Sequence, residues 1–217
     1  MRILTPAEKY ITEVFGINDP DLIKVRQQLD QQELSFMAIS PLEGRILQFL
    51  IKAFQVRKVV EVGTLFGYSA LCIAKALPLE GRLITIEKNP AHHAIAQDLF
   101  RGSQAGHQIQ AENGEALEIL KGIEPQGPFD MIFIDANKAG YVKYLDWAER
   151  NIRKGGLIVG DNTFLFGALW GPSDDREAGP AQIRGMKEFN ERLADTAKYN
   201  SILIPTHEGL TVAQKQF

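Results

Sequence analysis

The sequence predicts an α/β fold: a seven-stranded, mostly parallel sheet with its last strand antiparallel, helices on both faces, and a helical extension at the N-terminus. Three observations carry this. Short apolar, β-branched runs alternate with helix-like segments along most of the chain, the pattern of a parallel sheet covered on both faces. The first 55 residues carry repeated helix-start signals instead. The last two strand-like runs are separated by five residues, too few for a parallel crossover, so one of them must run backwards.

In order, Thr5-Pro6-Ala7-Glu8 and Ser40-Pro41-Leu42-Glu43 read as capping boxes with proline at the first helical position. Asp19-Pro20 opens a helix in a similar way, and the helical region ends in the apolar stretch 46–54. Strand-like runs then fall at 58–62, 83–87, 108–111, 131–134 and 157–159. Helix-like segments lie between and after them at 69–77, 90–104 (capped by Asn89), 114–121 and 138–150, with a further helix near 181–197. Strands at 201–204 and 210–213 close the chain around Pro205-Thr206-His207-Glu208-Gly209. The 217 residues read as a single domain, with residues 1–55 the helical region and 56–217 the α/β core.

Composition narrows the function. With 45% hydrophobic and 24% charged residues the chain is not disordered and can bury a sizeable core. A net charge of −3 gives no global attraction to nucleic acid or anionic membrane, leaving only a local basic patch as a route to either. No apolar run approaches the ~18–20 residues of a membrane span, and MRILTPAEKY has no secretion-signal pattern. The single cysteine, Cys72, excludes an internal disulfide and fits a cytoplasmic setting.

The segment Val59-Val60-Glu61-Val62-Gly63-Thr64-Leu65-Phe66-Gly67-Tyr68-Ser69 runs from a strand into a helix through a glycine-containing turn. Leu65 stands where a dinucleotide fingerprint has the glycine that lets backbone approach a pyrophosphate. Glu61 before the turn would repel phosphate and suits a cationic amino-acid group. Glu87 closes the next strand, where an acid accepts hydrogen bonds from a ribose diol. An amino-acid head plus a ribose without phosphate describes S-adenosylmethionine.

A second constellation is rich in oxygen. Phe129-Asp130-Met131-Ile132-Phe133-Ile134-Asp135 is a buried strand ending in an acid, and Gly155-Gly156-Leu157-Ile158-Val159-Gly160-Asp161-Asn162 is another ending in acid plus amide. Consecutive parallel strands often neighbour one another, which brings Asp135, Asp161 and Asn162 to one sheet edge. Three oxygen donors without sulfur or imidazole suit a hard cation such as Mg²⁺, Mn²⁺ or Ca²⁺. Either position taken singly is better explained as a turn former or helix cap, and the cation reading rests on the positions together with the cofactor loop.

E-V-G-T-x-x-G-Y-S, F-I-D-A-x-K and G-G-L-I-V-x-D-N, in this order, resemble the cation-dependent O-methyltransferases related to caffeoyl-CoA and catechol O-methyltransferases. The likeness runs from about Met37 to Gly209-Leu210-Thr211-Val212-Ala213. It implies a Rossmann-like class I methyltransferase in which Glu61, Gly63, Thr64, Ser69 and Glu87 hold S-adenosylmethionine. Ala116 would lie near the adenine and Met37 against the reacting centre, with Asp135 and Asn137 also on the cofactor side. Asp135, Asp161 and Asn162 would bind the metal, and Lys138 would be the general base. A homodimer is implied as well. The chain departs from the family at Asn137, where a second acid is common, and at Ile39, where plant members carry threonine; both argue against the plant thioester substrate.

The expected chemistry follows. A phenol ionises near about pH 10, so few are reactive at neutral pH. A divalent cation lowers the pKa of a bound hydroxyl and pushes a neighbouring lysine toward its neutral form. The expected substrate is a small catechol-like or polyhydroxylated aromatic. Three alternatives remain open: the same chemistry on a hydroxylated uridine of transfer RNA, an NAD-dependent oxidoreductase, and a binding protein that kept the fold without catalysis. The adjacent His92 and His93 cannot share a helix face as ligands. His107 and His207 lack a ligand-spaced partner, and Cys72 reads as a small core residue. Asp174-Asp175-Arg176-Glu177 reads as a solvated loop. Phe164, Phe166 and Trp170 in the long segment 163–179 form either an aromatic wall for a flat substrate or a loop packing its own aromatics.

Overall fold

The structure is a computed structural model that describes residues 6–15, 19–171 and 178–217. Its seven strands form one sheet in the order β3-β2-β1-β4-β5-β7-β6. They are β1 (Lys58–Val62), β2 (Arg82–Glu87), β3 (Ile109–Asn113), β4 (Phe129–Ile134), β5 (Ile152–Asp161), β6 (Tyr199–Ile204) and β7 (Leu210–Lys215). β7 runs antiparallel to both β5 and β6, while the β2–β3, β1–β4 and β4–β5 pairs are parallel. The five-residue connection does reverse the last strand. In β1 the four residues Val59 to Val62 are all buried; successive side chains point to opposite faces, so both faces of the strand are covered.

The chain divides into two compact units. The first holds Met1–Lys58 and Thr64–Glu115. It carries α1 (Pro6–Phe15), α2 (Pro20–Gln31), α3 (Pro41–Ala53), α4 (Tyr68–Ala76) and α5 (Pro90–Arg101) with β2 and β3. Local capping explains where these helices begin. Asp19 accepts the N–H groups of Asp21 and Leu22 at 3.0 and 3.3 Å, and Asn89 accepts those of Ala91 and His92 at 2.9 and 3.4 Å. The Ser40 box is complete: Glu43 N–H donates to Ser40 Oγ at 3.2 Å and Ser40 N–H to Glu43 Oε2 at 2.6 Å. The box expected at Thr5 involves a residue outside the described ones. Cys72 is buried inside α4, as a core residue should be.

The second unit holds Val59–Gly63 and Ala116–Phe217. It carries α6 (Ala116–Ile123), α7 (Tyr141–Asn151) and α8 (Pro180–Leu193) with β1, β4, β5, β6 and β7. Of the boundaries that differ from the sequence reading, two bear on the residues singled out there. Lys138 begins a short 3-10 turn, Lys138–Gly140, and the helix proper starts at Tyr141. β5 starts at Ile152 rather than Leu157: Gly155 takes φ +75° and the β4–β5 register shifts between Phe129 and Met131, so the strand passes through a stretch that reads as a turn.

Candidate active site

In the first unit the turn after Gly63 is braced from within. Gly67 N–H donates to Thr64 O at 2.8 Å, and the buried Thr64 hydroxyl lies 2.5 Å from that of Thr85 on β2. Leu65 takes φ +51° in spite of its Cβ. Glu87 supplies the compensation, since its Oε2 accepts Leu65 N–H at 2.7 Å while Oε1 accepts Asn89 N–H at 2.8 Å. Gly67 (φ +87°) admits no side chain, because a Cβ there would sit 2.3 Å from the Phe100 ring. Ser69 is buried in the first turn of α4 that follows. Met37 lies in a 3-10 turn, Ser35–Met37, and is 49% exposed, whereas Ile39 is buried.

In the second unit Glu61 is fully buried on β1, opposite Phe133 of β4. Gly63 (φ +99°) allows close backbone approach: a Cβ there would lie 1.9 Å from the carbonyl oxygen of Asp135. Asp135 N–H donates to Val62 O at 2.9 Å, extending the β1–β4 ladder by one residue. The register pairs Ile134 with Gly160, so Asp135 and Asp161 follow side by side at the carboxyl ends of neighbouring strands. Asp161 is 2% exposed. Asn162 sits in the left-handed region at φ +53° and donates from Nδ2 to Asp161 Oδ2 at 3.3 Å, which leaves its own amide oxygen as an acceptor. Ala116 is the first residue of α6.

Lys138 is brought into this cluster. It is 9% exposed, and Nζ donates to Asp135 Oδ1 at 3.2 Å and to Tyr141 Oη at 2.8 Å. Asn137 turns elsewhere, donating from Nδ2 to Tyr144 Oη at 3.3 Å. Tyr141 escaped the sequence reading; the only signal was an aromatic three residues after the lysine. Its fully buried hydroxyl lies 2.7 Å from Asp161 O and 3.0 Å from Ile134 O, tying the ends of β4 and β5 together. Burial, then the nearby Asp135 and Asp161 carboxylates, push its phenol well above the ordinary value, so it stays neutral.

A second unread feature is the buried polar knot behind the Asp161-Asn162 corner. Thr211 Oγ1 is 2.9 Å from Thr163 Oγ1 and 3.0 Å from Asn190 Oδ1, and Asn190 Nδ2 donates to Thr163 O at 2.9 Å. Beyond it, Phe164 and Trp170 pack edge to face at 5.1 Å. Those two aromatics of the long segment thus meet each other, although Trp170 stays 69% exposed. The charged run at 174–177 lies outside the described residues. Among the described residues no group of three or more His, Cys, Asp or Glu side chains is arranged for a metal. Asp135, Asp161 and Asn162 together offer two carboxylates and one amide oxygen.

Comparisons with known proteins identify the family. The model of the O-methyltransferase family matches residues 15–216. A catechol O-methyltransferase of Niastella koreensis is 37% identical over 219 residues, covering 98% of this chain and 97% of that protein. Among solved structures, the O-methyltransferase TomG of Streptomyces achromogenes, in complex with S-adenosylmethionine, aligns with TM-score 0.86 and 31% identity over 97% of this chain and 96% of that one. An O-methyltransferase of Bacillus cereus in complex with S-adenosylhomocysteine aligns with TM-score 0.86 and 29% identity, over 97% and 98%. The sheet order, the glycine turn and a family match over nearly the whole chain lead to one conclusion: this chain belongs to the O-methyltransferase family.

Proposed function

We propose that the protein transfers the methyl group of S-adenosylmethionine to a hydroxyl of a small catechol-like or polyhydroxylated aromatic substrate, with a divalent cation, Mg²⁺ before Mn²⁺ or Ca²⁺. The observation that carries this reading is the meeting of Asp135, Asp161 and Asn162 at adjacent strand ends, with the Lys138 amine 3.2 Å from Asp135. The donor chemistry fits the cation: two carboxylates and an amide oxygen are hard ligands, too few to fill a shell, which leaves positions for oxygens of water or substrate. When bound, such an ion would hold and acidify the substrate hydroxyl.

The protein's own residues supply the rest. Glu61 and Ser69 would hold the amino-acid portion of the cofactor, and Glu87 would accept from its ribose; Gly63 and Thr64 would form the turn beneath it. Ala116 would flank the adenine, and Met37 the reacting centre. Lys138 Nζ would take the proton of the substrate hydroxyl, and S-adenosylmethionine would supply the methyl group when bound. Holding the reactants in line can contribute up to ~7–11 kcal/mol. Asn137 lacks the charge of the acid common at its position and would add only hydrogen bonding on the cofactor side.

The same reading takes the whole chain as one functional domain and the protein as a cytoplasmic homodimer, supported by the family likeness and by the lone cysteine. Among the described residues no helix is long and apolar enough to cross a membrane. The test is methyl transfer from labelled cofactor to catechols, flavonoids and bulk transfer RNA, with and without chelator. Transfer to a catechol that stops in chelator is the expected result. Transfer to transfer RNA alone would overturn the substrate class, and undiminished turnover in chelator would overturn the cation.

A further inference from the structure

The hydroxyl of Tyr141 has polar neighbours of unequal kind: two that accept and, in the Lys138 amine and the backbone N–H of Ala136, two that donate. Asp161 O at 2.7 Å and Ile134 O at 3.0 Å are backbone carbonyls, which only accept. The phenolic proton is therefore committed to them, and Oη is left as an acceptor. The side-chain donor that uses it is Lys138 Nζ at 2.8 Å. The same nitrogen donates to Asp135 Oδ1 at 3.2 Å, and a carboxylate also only accepts. Around Nζ, Cε occupies one tetrahedral position and these two acceptors hold N–H groups at two more. One position remains.

We propose that Tyr141 is a positioning residue that fixes the rotation of the Lys138 amine, so that its single remaining position is the one that exchanges a proton with the substrate hydroxyl. This rests on the reading of Lys138 as the base. A lysine amine on its flexible stem, held by Asp135 alone, could still turn about that one hydrogen bond. Two acceptors in different directions remove the freedom. The carbonyls of Ile134 and Asp161 make the arrangement one-way: with its proton spent on them, Tyr141 does not compete as a donor for the lone pair that must receive the substrate's proton.

Two measurements test it. Neutron diffraction from crystals of the unmodified protein reads the polarity directly. The expected result is a phenolic hydrogen on the Asp161 or Ile134 side and an Nζ hydrogen facing Oη; a phenolic hydrogen aimed at Nζ overturns the proposal. The second is a double-mutant cycle with catechol and labelled cofactor. Tyr141→Phe should lower kcat by about tenfold to a hundredfold, the scale of a misplaced reacting group. KM for catechol and affinity for S-adenosylhomocysteine should stay within about twofold. In a Lys138→Ala background the same substitution should cost almost nothing, because there is no amine left to aim. An equal loss in both backgrounds would mean that Tyr141 only clamps the ends of β4 and β5, and overturns the proposal. Full activity of Lys138→Ala by itself would instead remove the base assignment, a failure separable from the polarity seen by neutrons.

Discussion

The carboxylate of Glu87 accepts the backbone N–H of Leu65 at 2.7 Å, and Leu65 holds φ at +51°. A left-handed leucine costs roughly 1–3 kcal/mol, and a charge-assisted hydrogen bond offsets a good part of it. An ionised carboxylate has about four acceptor sites, so the bonds to Leu65 and Asn89 leave room for a ribose diol. Glu87→Gln turns an N–H₂ toward a backbone N–H and weakens both roles. Affinity for S-adenosylhomocysteine should fall at least about tenfold, or ~1.4 kcal/mol, measured by calorimetry. Unchanged affinity would refute the role of Glu87 in the cofactor site.

Gly63 is a packing requirement. At φ +99°, with the Asp135 carbonyl 1.9 Å from any Cβ, Gly63→Ala combines backbone strain with a backbone clash. We expect a loss on the order of 3 kcal/mol, seen as a drop of roughly 6–12 °C in Tm. A Tm equal to that of the unmodified protein would contradict the close approach.

The cation set is tested at Asp161. Asp161→Ala should abolish methyl transfer while the protein stays folded by circular dichroism, because it removes a proposed ligand at a strand end. Activity of the unmodified protein should disappear with chelator and return with Mg²⁺ or Mn²⁺. Near-normal turnover of the alanine variant would sink the ligand assignment.

For Lys138, loss of the amine should lower kcat by roughly 10²–10⁴ in Lys138→Ala, the range for general acid–base catalysis. Lys138→Arg should not restore the rate, since a guanidinium keeps its protons. Recovery with arginine, followed in steady-state kinetics with catechol, would reassign Lys138 to an electrostatic role.

Asp21 gives a prediction on stability. Its carboxylate accepts from Lys75 Nζ at 2.6 Å and from Ser103 Oγ at 2.8 Å, tying α2 to α4 and to the end of α5. The hydrogen bond from Lys75 first, then that from Ser103, hold its pKa below the ordinary 3.8. A depressed carboxylate stabilises the fold above its unfolded pKa and loses that contribution as pH falls through the lower folded value. Asp21→Asn should therefore cost about 1 kcal/mol near neutral pH. The gap to the unmodified protein should narrow below 3.8. Urea unfolding at about pH 7 and pH 3 measures it; a pH-independent gap would rule out the charge as its source.

What the sequence determined by itself was local or counted. The Ser40–Glu43 box and the Asp19 and Asn89 caps close within three residues, so the residues that form each cap are neighbours on the chain. The alternation of strand and helix, with five residues before the last strand, was enough for a sheet with one reversed strand. Acids at the ends of β4 and β5 pointed to one edge because parallel strands end at the same side. Tertiary structure alone decided the rest. The pairing of Ile134 with Gly160 depends on strand order, and the extension of β5 back to Ile152 depends on a bulge at Gly155, whose glycines read as a turn. The Thr163–Asn190–Thr211 knot joins residues up to 48 positions apart. Tyr141 belongs to the same class: its meaning lies in two carbonyls from two strands and an amine from a 3-10 turn. A hydrogen bond's direction is set by which groups surround it in space, and spacing along the chain carries no record of that.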